Sequence, residues 1–304
     1  MIAVVPALPP RAVPILSGFD YVAVDAKRRR VFAAHSGSSA LVVVDGDTGA
    51  VLGQIDVGGQ MSGVAVDPVT GMVYTGDGTG RTVSKVDPKA LKVVASVAVD
   101  GPVDATAYDA KLGRVYADED NGTRIFVIDA KTMRHVGNVA LPGHKPEYLA
   151  IDPKTHDVYQ NIADRNEIAV IDPKTLRVTR TIATPGIVNN HPLQFDASYN
   201  QIVVAGKNGV MAAYSPQGTL LGRTTVEPGI DQCSLESVTH TLACAGDDGI
   251  EVLRLQRGGA PQAIGHRKVD PDVHTVGIDP KTMRLWIVWA AKKGDFVQAL
   301  RLSR

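Results

Sequence analysis

Apolar residues in this chain come in short runs, mostly β-branched or aromatic, each closed by Asp, Pro, Gly or Asn. Residues 146–186, PEYLAIDPKTHDVYQNIADRNEIAVIDPKTLRVTRTIATPG, hold four such runs, at 147–151, 158–161, 167–171 and 176–183. Two of them end on the same turn sequence, Asp-Pro-Lys-Thr, at 152–155 and 172–175. Runs of this length and composition between turn formers predict strands rather than a helix. Tight turns between successive runs predict an antiparallel four-stranded meander.

This unit repeats. The aspartate closing its first strand recurs as Asp25, Asp67, Asp109, Asp152, Asp196 and Asp279, with Glu236 in the sixth copy, at intervals of 42, 42, 43, 44, 40 and 43 residues. That spacing is the length of a propeller blade. A four-stranded sheet of this size cannot bury both faces alone, so copies must stack face to face, and radial stacking closes the array. Seven copies predict an all-β, seven-bladed β-propeller, a single domain over residues 1–304.

The two ends of the chain fit together in this scheme. Residues 11–18, RAVPILSG, occupy the place of a fourth strand (compare 92–101, KVVASVAVDG), whereas the last copy, 274–302, stops after its third. Residues 11–18 are therefore expected to complete the seventh blade and remove its open edge. Residues 1–10, with three prolines, are expected to be an irregular lead-in.

Composition narrows the function classes. Thirty-two basic against 32 acidic residues leave no net charge, which gives no encouragement to wholesale binding of nucleic acid or an anionic membrane. No apolar run approaches the roughly 20 residues of a membrane span. The opening MIAVVP lacks the basic region and the apolar length of a signal peptide. The expected location is periplasmic or extracellular if a leader has been removed, and cytoplasmic otherwise.

The second strands of the first four copies read VFAAH, VYTGD, VYADE and VYQNI, and the third strands LVVVD, VSKVD, FVID and AVID, with GVAVDP preceding in the second copy. This pattern resembles the YVTN-type propeller repeat of surface-layer-like and YncE-like bacterial proteins, over about the whole chain and most clearly in copies one to four. Copies five to seven depart from it, with IVVAG, LACAG and LWIVW in place of the second strand and Ser215 where Asp172 stood. The resemblance implies the propeller and often an exported bacterial protein; it implies no single activity.

Cys233 and Cys244 are the only cysteines, equidistant from the turn between the first two strands of copy six. Opposed cross-strand residues have Cα atoms ~4.5–5.5 Å apart, so a disulfide and a pair of small buried thiols both remain open. No zinc-type Cys or Cys/His spacing occurs.

Candidate chemistry concentrates at one level of the repeat. The residue five before each repeat acid is Asp20, Ser62, Asp104, Glu147, His191, Asp231 or His274, polar in all seven copies. These positions open the innermost strands, where a propeller's blades converge on the central channel. Fifteen residues later the second strand ends in His35, Asp77, Glu119, Ile162, Gly206, Gly246 or Trp289. Simple hairpin symmetry pairs Asp20 with His35, Ser62 with Asp77 and Asp104 with Glu119. Asp118, Asn161, His144, Lys145, Asn189 and Asn190 are expected around the same mouth.

Three readings follow. His35, Glu147, His191 and His274 offer the donor atoms of a divalent metal site for zinc, copper or manganese. Asp20, Asp104, Glu119 and Asp231 supply acid/base groups, because paired carboxylates push one pKa up and a carboxylate beside an imidazole orients a base. Alternatively, the ring is simply hydrated polar surface. The other histidines, His135, His156, His240 and His266, fall in turns or outer strands and are expected to be solvated. So is the basic run Lys27-Arg28-Arg29-Arg30, with a phosphate patch as the sharper alternative. Trp286 is expected in the core, and Trp289 at the mouth, where it could stack on a ligand. Nucleophile-elbow, Walker, dinucleotide-binding and His-Glu-x-x-His patterns are absent. The expectation is thus a monomer binding a small polar or cationic molecule in the funnel, as a metal-dependent hydrolase, lyase or isomerase. The alternative is a non-catalytic, exported binding or scaffold module.

Overall fold

The computed structural model describes residues 1–13, 18–270 and 272–303. Seven antiparallel sheets stand in a ring, essentially without helix; the 3-10 turn Ser36–Ser38 is the one helical element among the described residues. Blades one to six are sequential meanders over 22–56, 61–98, 103–140, 146–183, 190–225 and 232–267. Blade seven takes Val276–Asp279, Arg284–Ala291 and Gly294–Leu302 from the C-terminal end, and its outer edge from the N-terminal end.

Burial follows from this stacking. The second and third strands lie between neighbours on both faces, so they read as continuous apolar runs instead of alternating: Val31, Phe32, Ala33 and Ala34 are all fully buried. The fourth strands form the outer rim and do alternate, as in Lys92–Ala98. Buried side chains fall into seven clusters, one per blade junction. Phe126 packs with Tyr74, Val83 and Val103 between blades two and three, for example, and Trp286 with Val31 and Val42 between blades seven and one. The expected core position of Trp286 is borne out.

The repeat acids organise the face opposite the mouth. Each accepts backbone N–H groups from the turn that follows: Asp67 from Val69 and Thr70, Asp109 from Lys111 and Leu112, Glu236 from Val238 and Thr239. Four residues on, the chain enters the left-handed region, at Arg29, Gly71, Gly113, His156, Asn200, His240 and Met283. Three of these residues reach back to the acid of the preceding blade. His156 Nδ1 lies 2.8 Å from Asp109 Oδ2, His240 Nδ1 2.6 Å from Asp196 Oδ2, and Arg29 Nη1 2.7 Å from Asp279 Oδ2. His156 and His240 are therefore clasps between blades, not solvated surface groups. The basic run is likewise engaged: Arg28 pairs with Asp25, Arg29 with Asp47 and Asp279, and Arg30 with Asp45. A phosphate would have to compete with these carboxylates.

Ring closure uses more of the N-terminal segment than its sequence pattern indicates. Arg11–Val13 pairs with Val297–Asp295, as expected for a fourth strand; residues 14–17 of the expected strand lie outside the described residues. Val4–Pro6 also pairs, with residues 302–300, and Val4 is 3% exposed. The segment 1–10 is thus half of the closing strand rather than a lead-in. Pro9 and Pro10, which have no N–H to donate, fall where the ladder is interrupted. The junction is completed by His35, whose Nε2 lies 2.5 Å from Asp295 Oδ2, both side chains fully buried.

Cys233 and Cys244 are opposed in the ladder of blade six and are joined as a disulfide, with Cα atoms 4.1 Å apart. The possibility of two thiols is not realised.

Two outcomes are expected. Deleting residues 1–7 should lower the unfolding free energy by about 2–4 kcal/mol, since it removes the buried Val4 side chain and uncovers the far half of the last strand; an unchanged melting temperature would contradict the pairing. Intact mass should rise by about 2 Da on reduction, and denatured, unreduced protein should titrate no thiol.

Candidate functional site: the acidic mouth of the channel

One structural device decides which predicted residues meet. In each of blades two to five the first hairpin slips by one residue just after the ring position. In blade three, Asp109 to Thr106 pair with Arg114 to Ala117, but Val103 then pairs with Glu119. Blades two, four and five show the same slip between Met61 and Val64, Glu147 and Leu149, and Asn190 and Leu193. In blade one, Ala34 bonds to both Asp20 N and Tyr21 O, so two residues oppose one. Such a bulge turns the inner strand and re-aims its side chains. The glycine at Gly63 marks the tightest place: a Cβ there would lie 2.4 Å from Asp104 O in the adjoining blade.

The slip overturns the simple hairpin pairs. His35 stands beside Phe19, their rings stacked with centroids 4.4 Å apart, and turns into the closure junction toward Asp295. It does not belong to a metal set with Glu147, His191 and His274. Asp77 opposes Met61 instead of Ser62, and accepts Gly80 N. Glu119 opposes Val103 and is held by Arg124, with Nη2–Oε1 at 2.8 Å, on the rim and away from Asp104. Trp289 stacks on Phe296 across its own sheet, 5.3 Å between centroids. Asn190 bonds Thr184 in the interior, and His144, Lys145 and Asn189 are exposed.

Asp20, Asp104, Glu147, His191, Asp231 and His274 do converge. His191 Nε2 lies 2.6 Å from Asp231 Oδ1, and its Nδ1 3.3 Å from Glu147 Oε2, shielded from water and without a hydrogen bond. Lys207 pairs with the same Asp231 carboxylate. Asp20 accepts a 3.0 Å bond from Gln232 Nε2 and a further bond from Ser62. Asn161, buried between blades four and five, donates to His191 O at 2.8 Å and fixes that backbone. Asp118, fully buried, accepts Ala105 N and Gln160 Nε2. The side chains of Glu147, His191 and Asp231 stay about a fifth exposed (21%, 20% and 19%), so solutes reach them.

Electrostatics divides these acids into two groups. Burial, with repulsion from Asp231, raises Asp20 to about 6. Burial raises Asp118 to about 8, and raises Glu147 to about 7 against the pull of His191. Asp104 is pushed well above its ordinary range by burial and by Asp20, Asp118 and Glu147. Asp231 is the exception. Burial works against its charge, but His191 and Lys207 outweigh it and hold it well below the carboxylate range. The mouth therefore carries more acidic groups than its cations neutralise.

Below the ring, Tyr21 and Tyr148 meet across the channel, 5.8 Å between centroids. They separate the mouth from a cavity of about 360 Å³ walled by small residues such as Ala23, Ala65, Ala107 and Ala150. Lys207, Gln232 and the two tyrosines are the mouth residues that repeat logic missed. Lys207 sits sixteen residues after His191, the level that holds Asp120 in blade three, one step beyond the position that the uncorrected register selects.

No protein-family model matches the chain, and no curated protein matches it in sequence. Solved structures match its fold. A chain of Kuenenia stuttgartiensis hydrazine synthase is similar at TM-score 0.83 and 14% identity, covering 95% of this chain and 97% of that one. A chain of the mitotic checkpoint complex is similar at TM-score 0.83 and 12% identity, covering 99% and 92%. The Myceliophteria thermophila Cps50 (Swd1) β-propeller domain matches at TM-score 0.78 and 11% identity, covering 97% and 100%. At these identities the likeness establishes the seven-bladed propeller alone.

The raised acids give a signed expectation for Asp104→Asn. A carboxyl whose folded pKa exceeds its unfolded value stabilises fully below the unfolded value, near 4, and loses that contribution as pH rises through the folded value. The advantage of the Asn variant over wild type should therefore grow from about pH 4 upward and level off above the raised pKa. Thermal unfolding across pH checks this; a variant less stable than wild type at pH 8 would contradict it.

Proposed function

We propose that the mouth binds a small cationic molecule and that Glu147, His191 and Asp231 carry out proton transfer on it. The observation that supports this reading is the unneutralised group of Asp20, Asp104 and Glu147, each raised by burial or by its neighbours and backed by the buried Asp118, at a mouth where the Glu147, His191 and Asp231 side chains meet solvent. A bound cation relieves that repulsion and is attracted more strongly there than in water. Among the described residues, three His, Asp or Glu donors within 4.8 Å of one another occur elsewhere, at Glu227, Asp248 and His266. The mouth spacing thus suits an organic ammonium group or a hydrated divalent ion better than a bare metal held by several side chains.

Asp231 fixes one face of the imidazole through Nε2, leaving Nδ1 directed at Glu147. Glu147, poised near 7, holds or gives up a proton at neutral pH. That arrangement serves an elimination, isomerisation or hydrolysis in which a proton passes between substrate and Glu147. A hydrated zinc or manganese ion in the mouth would face Asp20, Asp104 and Glu147 through its waters and would supply electrophilic assistance.

A second reading, a non-catalytic docking module, is favoured by the rim groove in which Arg28, Arg30 and Lys89 surround the half-exposed Leu52 and Leu91. The YVTN-type resemblance agrees with such a module and with export.

Calorimetric titration with choline, putrescine and manganese tests the first reading. One ligand per chain is expected, with affinity rising from pH 6 to 8 because a cation favours the ionised carboxylates. Asp104→Asn and Glu147→Gln should each weaken it about tenfold, the size of one lost charge contact. Absence of binding by every probe, or affinity independent of pH, would reject it.

A further inference from the structure

A second cluster of donors lies on the outer part of the junction between blades five and six. Glu227 comes from the connection between those blades, Asp248 from the turn after Thr241–Gly246, and His266 from the outer strand Gln262–Arg267. One donor atom from each lies within 4.8 Å of the other two.

The cluster is built into the sheet. Cys233, Cys244, Glu251 and His266 form one row across the four strands of blade six, each in register with the next. The disulfide fixes the inner half of that row. Glu251, 9% exposed, accepts Glu227 N at 2.9 Å and so ties the connecting loop to the row. Burial and the nearby Glu227 carboxylate keep the Glu251 carboxyl above its ordinary range, and His266 draws it back.

The geometry is unusual for an ordinary ion pair. His266 Nε2 lies 3.6 Å from Glu227 Oε1, too far for a hydrogen bond, yet this nitrogen is closed to water and has no other partner. Two ligand atoms bound at ~2.0–2.1 Å to one tetrahedral ion stand ~3.4 Å apart, so the spacing matches two ligands of one metal. Asp248, exposed and paired with Lys268 at 3.0 Å, swings in from a turn at little cost, because a surface pair contributes little.

We infer that Glu227, Asp248 and His266 form a binding site for a divalent transition metal of the zinc class, with Glu251 as the positioning residue that holds Glu227. One imidazole with two carboxylates suits zinc or manganese, and the nitrogen donor selects against calcium and magnesium. A water completes the tetrahedron. The ion would join the blade five to six connection to the outer strand of blade six, a clamp on the rim independent of the mouth.

The test uses the whole chain without a histidine tag, stripped with chelator. Calorimetric titration with zinc chloride, and the visible absorption bands of added cobalt, should both report one equivalent at micromolar affinity or better. His266→Ala and the exposed-turn variant Asp248→Asn should each weaken binding at least about tenfold, as loss of a ligand does. His191→Ala and Glu147→Gln should leave it unchanged, which separates this site from the mouth. Circular dichroism of the metal-free variants checks folding. No stoichiometric binding at micromolar metal, undiminished wild-type affinity in Asp248→Asn or His266→Ala, or loss of binding in the mouth variants would each overturn the assignment.

Discussion

The structure depends on the closing of the ring. Each blade buries both faces of its inner strands, so no blade is stable with an open side, and the chain must supply a neighbour for its first and last copies. The junction between blades seven and one meets this demand with unusual density. Val4–Pro6 and Arg11–Val13 cover the edge of Gly294–Leu302, the His35–Asp295 pair is sealed inside, and Arg29 clasps Asp279 on the lower face. Every group in this junction joins residues from opposite ends of the sequence. A buried pair such as His35–Asp295 adds little beyond what apolar packing would give, but leaving one member alone is costly, so it enforces the correct mating of the ends.

The repeat serves two faces with different chemistry. On the lower face its acid is satisfied three ways, by its own turn, by hydroxyls such as Thr70 and Thr282, and in three junctions by a cationic or imidazole group of the next blade. A left-handed residue at Arg29, His156 or His240 carries a backbone cost of order 1 kcal/mol, which the clasp offsets. On the upper face the cationic groups His191 and Lys207 are drawn chiefly to Asp231, and Asp20 and Asp118 are served by the neutral amides of Gln232 and Gln160. Asp20, Asp104, Asp118 and Glu147 repel one another in a narrow space, and their carboxyls hold protons more tightly than free acids do. A stable scaffold below thus carries an electrostatically unrelieved mouth above, the usual relation between a fold and the site it supports.

The β-bulge links the two. Without it, an inner strand would continue its alternation, and the ring residues would stand beside the second-strand ends. With it, one residue is added on the inner strand, so the ring side chains turn to the axis while His35, Asp77 and Glu119 turn elsewhere. The same step brings Tyr21 and Tyr148 across the channel to floor the mouth. Position within the ring also decides charge: His191 and Lys207 hold Asp231 well below the carboxylate range, whereas burial and the acids Asp20, Asp118 and Glu147 push Asp104 well above it.

The sequence by itself determined the blade count, the strand positions within the repeat and the level at which polar residues meet, because these follow from a period of about 43 residues and from turn chemistry that is local. It also carried Asp20, Asp104, Glu147, His191, Asp231 and His274 to one place, since seven equivalent strand starts must converge on one axis. What it left open was anything set by a one-residue slip or by contacts between blades. The bulge has no signature in the repeat, so the partners expected for His35 and Glu119 were wrong, and Lys207 was passed over by a single position. The pairing of Val4–Pro6, the clasps made by His156 and His240, and the union of Cys233 with Cys244 were decided by tertiary structure. The first two join atoms that only closure of the ring brings within bonding distance, whereas local register placed Cys233 opposite Cys244 and left bond or thiols for the packed sheet to decide.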